Sequence, residues 1–120
     1  MNAVIESNCN REEFRSIQKL SSKNIFFCFD IGNRISVTKN LQNDLKKFEK
    51  DMLILHIKNK NKFNKSVKLS KGLIDINKLL RKKNFKKVLL TFENMREYPL
   101  YQKNLSILKS FKKIIFDKAK

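Results

Sequence analysis

The chain has 120 residues, enough for one small domain with a real core but not for a large one. It is 41% hydrophobic, with ten Phe and no Trp, and 28 Lys and Arg against 11 Asp and Glu give a formal charge of +17. That charge points to a polyanionic partner and argues against a free-standing metabolic enzyme. Cys9 and Cys28 are too few and too isolated for a disulfide scaffold or a zinc site, so a reducing, intracellular setting is expected. No apolar run approaches the ~20 residues of a membrane span. The start has no basic-then-apolar signal sequence, and Glu6, Glu12 and Glu13 do not suit a transit peptide. The excess of Lys over Arg reflects AT-rich coding, but the scarcity of Asp and Glu does not. Residues 1–30 are neutral, with four basic and four acidic side chains, and all of the +17 lies in residues 31–120. The binding surface is therefore expected from the later elements.

Residues 1–9 show no pattern. Asn10 followed by Glu13 forms a capping-box signature, and Phe14, Ile17 and Leu20 fall three apart, which predicts a helix over about Arg11 to Leu20. Ser21 to Asn24 is a break. Ile25 to Ile31, rich in aromatic and β-branched residues, is the clearest strand. Gly32-Asn33 is a turn signal, and Arg34 to Thr38 either returns as a strand or bridges to the next helix. That helix is capped by Asn40, with Leu41, Leu45, Phe48 and Met52 inward and Lys46, Lys47 and Lys50 outward.

Leu53 to Ile57 is a strand with Leu53, Leu55 and Ile57 on one face. The run Lys58 to Asn64 is a basic turn, and Lys65 to Leu69 returns with Val67 and Leu69 inward, giving a hairpin with a basic tip. Ser70 to Lys87 is the stretch around which the rest is arranged. Ser70 suits an N-cap, Leu73, Ile76, Leu79 and Leu80 recur at helical spacing with Ile74 at the edge, and Arg81, Lys82 and Lys83 suit the negative end of the helix dipole. Asn84 suits the left-handed conformation that ends a helix. Lys87 to Glu93 is a strand with an apolar centre, buried on both faces. Asn94 to Arg96 turns, and Pro99 confines Tyr98 to Tyr101 to an edge strand. Leu105, Leu108, Phe111 and Ile115 describe a C-terminal helix whose other face carries Lys109, Lys112, Lys113 and Lys118.

Without a regular strand-helix repeat, these elements predict an α+β two-layer sandwich: a mainly antiparallel sheet with helices packed on one face. One domain spans residues 1–120, with an N-terminal helical extension over 1–22 and a basic C-terminal helix over 103–120.

Catalytic chemistry is poorly supported. His56 is the single histidine, with no Cys or carboxylate at ligand spacing beside it, so it reads as a half-exposed strand residue, and no metal is expected. Gly32 and Gly72 are the only glycines and form no phosphate loop. Asp30 reads as a turn or capping residue. Neither enzymatic activity, a cofactor nor a small-molecule substrate is expected.

Three basic elements remain. They are the hairpin tip with Lys58, Lys60, Lys62 and Lys65; the helix and its tail with Lys71, Arg81, Lys82, Lys83, Lys86 and Lys87; and the C-terminal helix with Lys109, Lys112 and Lys113. Each alone reads as a solvated charged face, but three in one acid-poor domain suit phosphate. Phe63, inside the basic tip, reads equally as a base-stacking residue or as one tucked beneath the hairpin. The run from Arg81 to Lys87 also has the composition of a nuclear-localisation patch. The C-terminal helix alone would suit an anionic membrane, but the basic surface spans strands and a hairpin, so no membrane partner is expected.

Element order and short matches resemble the eukaryotic large-subunit ribosomal protein twenty-two family. Ser70-Lys71 opens the helix, Leu80-Arg81-Lys82-Lys83-Asn84 resembles the family's helix end, and Val88 to Phe92 stands where the family has its next strand. Glu97-Tyr98, Leu100 and Tyr101-Gln102 resemble residues around its last strand, and Lys23 to Asp30 its first. The resemblance covers roughly Lys23 to Gln102. It implies a structural component of the cytosolic large ribosomal subunit that binds ribosomal RNA beside neighbouring ribosomal proteins, with Lys71, Arg81, Lys82 and Lys83 facing RNA. The alternatives are a basic interaction or assembly protein, or another small RNA-binding module such as a mitochondrial ribosomal protein or a signal-recognition-particle subunit.

Overall fold

The computed structural model describes residues 2–81, 85–92 and the backbone of 113–116. The chain runs β1 (Asn2–Glu6), α1 (Arg11–Leu20), β2 (Asn24–Asp30), a one-turn helix α2 (Ile31–Arg34), α3 (Leu41–Phe48) and β3 (Met52–Ile57). The short strands β4 (Asn59–Lys60) and β5 (Ser66–Val67), helix α4 (Ile76–Leu80), β6 (Leu89–Phe92) and β7 (Lys113–Phe116) follow. Local chemistry sets the helix starts. The Asn10 side chain accepts from the Glu13 amide at 2.9 Å, and the Glu13 carboxylate accepts from the Asn10 amide at 3.0 Å, closing the predicted capping box. Asn40 caps α3 through the Asn43 amide at 3.0 Å.

Among the described residues, five strands form one sheet in the order β1-β2-β3-β6-β7, and every pairing in it is parallel. The protein is thus α/β, and the expected mainly antiparallel α+β sandwich is overturned. The reason lies in the connections: from β1 through β6, each passage from one sheet strand to the next contains a helix, and such crossovers return the chain parallel. Among the described residues, only β4 and β5 pair antiparallel, as a separate hairpin. β1 was hidden in the patternless first residues. It pairs with β2 from Asn2↔Asn24 to Glu6↔Cys28, while Phe14 of α1 is fully buried, so residues 2–20 are part of the sheet and its core.

Two further expectations fail. No helix spans Ser70 to Asn84: Leu69–Lys71 is a 3₁₀ turn, and α4 starts only after Asp75, whose carboxylate accepts from the Lys78 amide at 3.0 Å. Ile76, Leu79 and Leu80 are buried as their spacing predicts, but Leu73 is 58% exposed. The C-terminal helix expected to include Ile115 is not helical at Lys113–Phe116, which forms β7 beside β6. The rest of that helix, the Tyr98 to Tyr101 strand and the Lys82 to Asn84 helix end lie outside the described residues.

The sheet has two unlike faces. Phe27, Phe29, Leu55, Ile57, Leu90 and Phe92 point one way and are buried under Phe14 of α1, Leu45 and Phe48 of α3 and Leu79 and Leu80 of α4, so these helices share one face. Phe48 stacks on Phe27 with ring centroids 4.0 Å apart, and Phe14 meets both rings edge-on. A register shift where β3 pairs with β2 takes Met52 opposite Phe27 but Ile54 opposite Cys28; Leu53, the extra residue, falls out of the buried row it was predicted to join. The opposite face carries Val4, Glu6, Phe26, Cys28, Asp30, Ile54, His56, Leu89 and Thr91.

Arg34 joins the two ends of this layout. Its guanidinium is buried and donates to Asp44 at 2.7 and 3.0 Å and to the carbonyls of Cys9 at 2.7 Å and Ser7 at 3.3 Å. It also lies 5.1 Å from the Phe48 ring centroid. The segment after β2 therefore bridges to α3 and does not return as a strand, and it anchors the exit of β1.

Candidate nucleic-acid interface

The basic hairpin leaves the carboxyl end of β3 and is fastened by two asparagines. Asn59 is fully buried at its base, and its carboxamide donates to the carbonyls of Leu69 at 2.9 Å and Ile74 at 2.7 Å. Its oxygen accepts from the amides of Lys60 at 3.0 Å and Ile74 at 3.2 Å, so the side chain's hydrogen-bonding capacity is spent on backbone. Gly72 leaves room for this: a Cβ there would collide with the Asn59 carboxamide. Gly32 does the same for the stem of Lys58, whose Cγ and Cδ would lie 2.8 Å from an added Cβ.

At the tip, Asn61 Oδ1 accepts from the amides of Phe63 at 2.9 Å and Lys65 at 3.1 Å, and the Asn61 amide donates to the Lys65 carbonyl at 2.9 Å. Asn64 takes the left-handed conformation, φ 60°, which Asn tolerates well. The tip is thus a preformed turn. It presents Lys62 and Lys65 to solvent and leaves Phe63 70% exposed, with Lys62 Nζ 5.1 Å from the ring centroid. Of the two readings of Phe63, the tucked one is excluded.

The other predicted residues fall in several places. Lys58 and Lys60 are half-buried in the hairpin base. Lys71, on the 3₁₀ turn, and Arg81, Lys86 and Lys87, on either side of the α4 exit, are exposed. Lys113 lies on β7, while Lys82, Lys83, Lys109 and Lys112 lie outside the described residues. The structure adds a second basic feature, an open cleft of about 710 Å³ between α1 and α3, lined by Arg11, Arg15, Lys46, Lys47 and Lys50 with only Glu12 and Glu49 against them. The nominally neutral first thirty residues contribute Arg15 and Arg11 to it, along with Glu12, and Arg11 is ion-paired with Asp51. Regional charge counts could not show this, because α1 meets α3 only in the fold. A direct bond at 2.6 Å from Arg11 to Asp51, which also accepts from Gln18 at 3.0 Å, fixes α1 against the α3–β3 turn.

A different kind of cluster lies on the open sheet face, where three parallel strands end together. Glu6 closes β1, Asp30 closes β2 and His56 is next to last in β3. Glu6 pairs with Cys28 and Asp30 with His56, so all four point to one side. His56 Nδ1 lies 3.4 Å from Asp30 Oδ2 and 3.8 Å from Glu6 Oε1. Donor atoms of Glu6, Cys28 and His56 all lie within 4.8 Å of one another. Asp30 Oδ1 accepts from the Asn33 amide at 2.9 Å, as its reading as a cap predicts, and the Asn33 carboxamide donates to Glu6 at 3.4 Å. His56 is the half-exposed strand residue expected, and although no Cys or carboxylate lies at ligand spacing along the chain, Glu6, Cys28 and Asp30 stand near it in the fold. Its neighbours come from other strands by register, a proximity that spacing along the chain does not encode.

No protein-family model, curated protein or solved structure matches the chain. Among the described residues, no helix is long and apolar enough to cross a membrane.

Proposed function

We propose that the protein is a non-enzymatic RNA-binding domain that docks on folded RNA through the hairpin tip, assisted by Lys71, Arg81, Lys86 and Lys87 and by the α1–α3 cleft. The observation that carries this reading is the tip itself: an exposed Phe63 flanked by Lys62 and Lys65 on a turn held by its own hydrogen bonds. Its order does not depend on a partner, so little conformational entropy is lost on binding. Ammonium groups meet phosphates, and an aromatic face beside them accepts an unpaired base. The charge of +17 supplies long-range attraction.

The ribosome is the setting suggested by the short matches to the large-subunit family: large-subunit RNA as ligand, neighbouring ribosomal proteins as contacts and a cytoplasmic location. In that setting the protein co-sediments with large subunits through a salt wash.

Two variants test the proposal against a structured RNA containing an unpaired loop. Lys62→Ala with Lys65→Ala weakens binding and lowers the slope of log affinity against log salt by about 0.7 to 0.9 for each phosphate no longer neutralised. Phe63→Ala leaves that slope unchanged and costs about 1–3 kcal/mol of affinity. Wild-type affinity and slope in both variants would overturn the tip as the docking element.

A further inference from the structure

We infer that the strand-end cluster of Glu6, Cys28 and His56, with Asp30 beside the imidazole, is a binding site for a borderline-soft divalent metal ion of the Zn²⁺ class. Three observations support it. The first is donor chemistry. The imidazole of His56, the thiol of Cys28 and the carboxylate of Glu6 converge, with the Asp30 carboxylate beside the imidazole, and nitrogen with sulfur selects zinc-like ions over magnesium or calcium, which prefer oxygen alone.

The second is spacing. Bonds of about 2.0–2.3 Å from zinc to N, O and S donors in tetrahedral geometry set neighbouring donors about 3.3–3.8 Å apart. The distances of His56 Nδ1 to Asp30 Oδ2, 3.4 Å, and to Glu6 Oε1, 3.8 Å, fall in that range. The Cys28 sulfur needs only a small adjustment, since its distances to the Glu6 and His56 donors are within 4.8 Å.

The third is support. Asp30 is held at Oδ1 by the Asn33 amide, which leaves Oδ2 toward the imidazole, and the Asn33 carboxamide reaches Glu6. Such outer contacts orient metal ligands. Cys28 is 4% exposed and rigidly placed mid-strand, whereas Glu6 lies on the solvent side, so the site has a buried anchor and an open approach. In a chain with 28 basic residues, two of only 11 carboxylates meet here beside the single histidine. A bound dication offsets their mutual repulsion and that of the thiolate.

The inference is independent of RNA binding. It is tested on the full-length, metal-free protein under reducing conditions, with Co²⁺ as an optical probe and Zn²⁺ as competitor. The expected result is one equivalent of Co²⁺ with thiolate-to-metal absorption and tetrahedral d–d bands, displaced by Zn²⁺. His56→Gln and Glu6→Gln each weaken binding at least tenfold, Cys28→Ser abolishes the thiolate band, and Cys9→Ser changes nothing. Because Cys28 is buried, its variant counts only if circular dichroism shows it folded; His56→Gln and Glu6→Gln decide the matter otherwise. The absence of a stoichiometric spectrum in the wild type, or undiminished binding in His56→Gln and Glu6→Gln, would overturn the site.

Discussion

The two faces of the parallel sheet are built from the same strands and do unlike work. On β2, Phe27 and Phe29 lie under the helices, while Cys28 and Asp30, alternating with them, point to the other side. On β3, Leu55 and Ile57 alternate in the same way with Ile54 and His56. The period of two along a strand lets one segment hold the fold with one set of residues and display chemistry with the other. The helices of the described residues gather on one face, and the opposite face carries Glu6, Cys28, Asp30 and His56 together at its carboxyl end, beside the apolar Val4, Phe26, Ile54 and Leu89. Stability and function are thereby separated by parity.

That separation makes ordered predictions. The largest effect belongs to the covered face. Phe48→Ala removes a fully buried ring stacked on Phe27 and should cost about 3–5 kcal/mol in chemical denaturation, with an unchanged denaturant slope. Gly72→Ala forces a methyl into the Asn59 carboxamide and should cost about 1–3 kcal/mol, with loss of protection at the Leu73 and Ile74 amides in hydrogen exchange. The smallest effect belongs to the open face. Without metal, His56→Gln should cost about 1 kcal/mol, well below Phe48→Ala, since His56 lies outside the buried core cluster. If His56→Gln destabilised the metal-free protein as much as Phe48→Ala, the division of labour between the faces would be wrong.

What could be read from the sequence follows the range of the interactions. The caps of α1 and α3 were legible because Asn10 with Glu13, and Asn40 with Asn43, act within one helical turn. The basic tip was legible because its turn is made by residues two to four apart. Strand β1 was not: only Ala3, Val4 and Ile5 are apolar, a run too short to show alternation between Asn2 and Glu6, and what holds it is distant in sequence, β2 along its length and the Arg34 guanidinium just beyond it. Strand direction was missed because apolar alternation tells which side is buried but not which way the neighbour runs. The long helix was misread because Leu73 continues the spacing of Ile76 and Leu79. A buried Asn59 claims the backbone at Ile74, and the Lys60 carbonyl claims the Leu73 amide. The Glu6–Cys28–His56 grouping rests on three strands in register and left no local trace.

The sequential strand order has a consequence for cooperativity. Among the described residues, each sheet strand from β1 to β6 hydrogen-bonds within the sheet only to the strand before and the strand after it, so the array approximates a one-dimensional chain of nearest-neighbour couplings. β1, at the end of the described sheet, can fray without breaking the β2–β3 or β3–β6 ladders, and releasing it costs its own ladder with β2 and the hold of the buried Arg34 guanidinium on Ser7 and Cys9. Glu6 travels with that strand, whereas Cys28 and His56 stay with the interior. Occupancy of the strand-end cluster therefore acts as a clasp on the terminal unit, slowing its exchange while leaving the rest of the ladder unaffected.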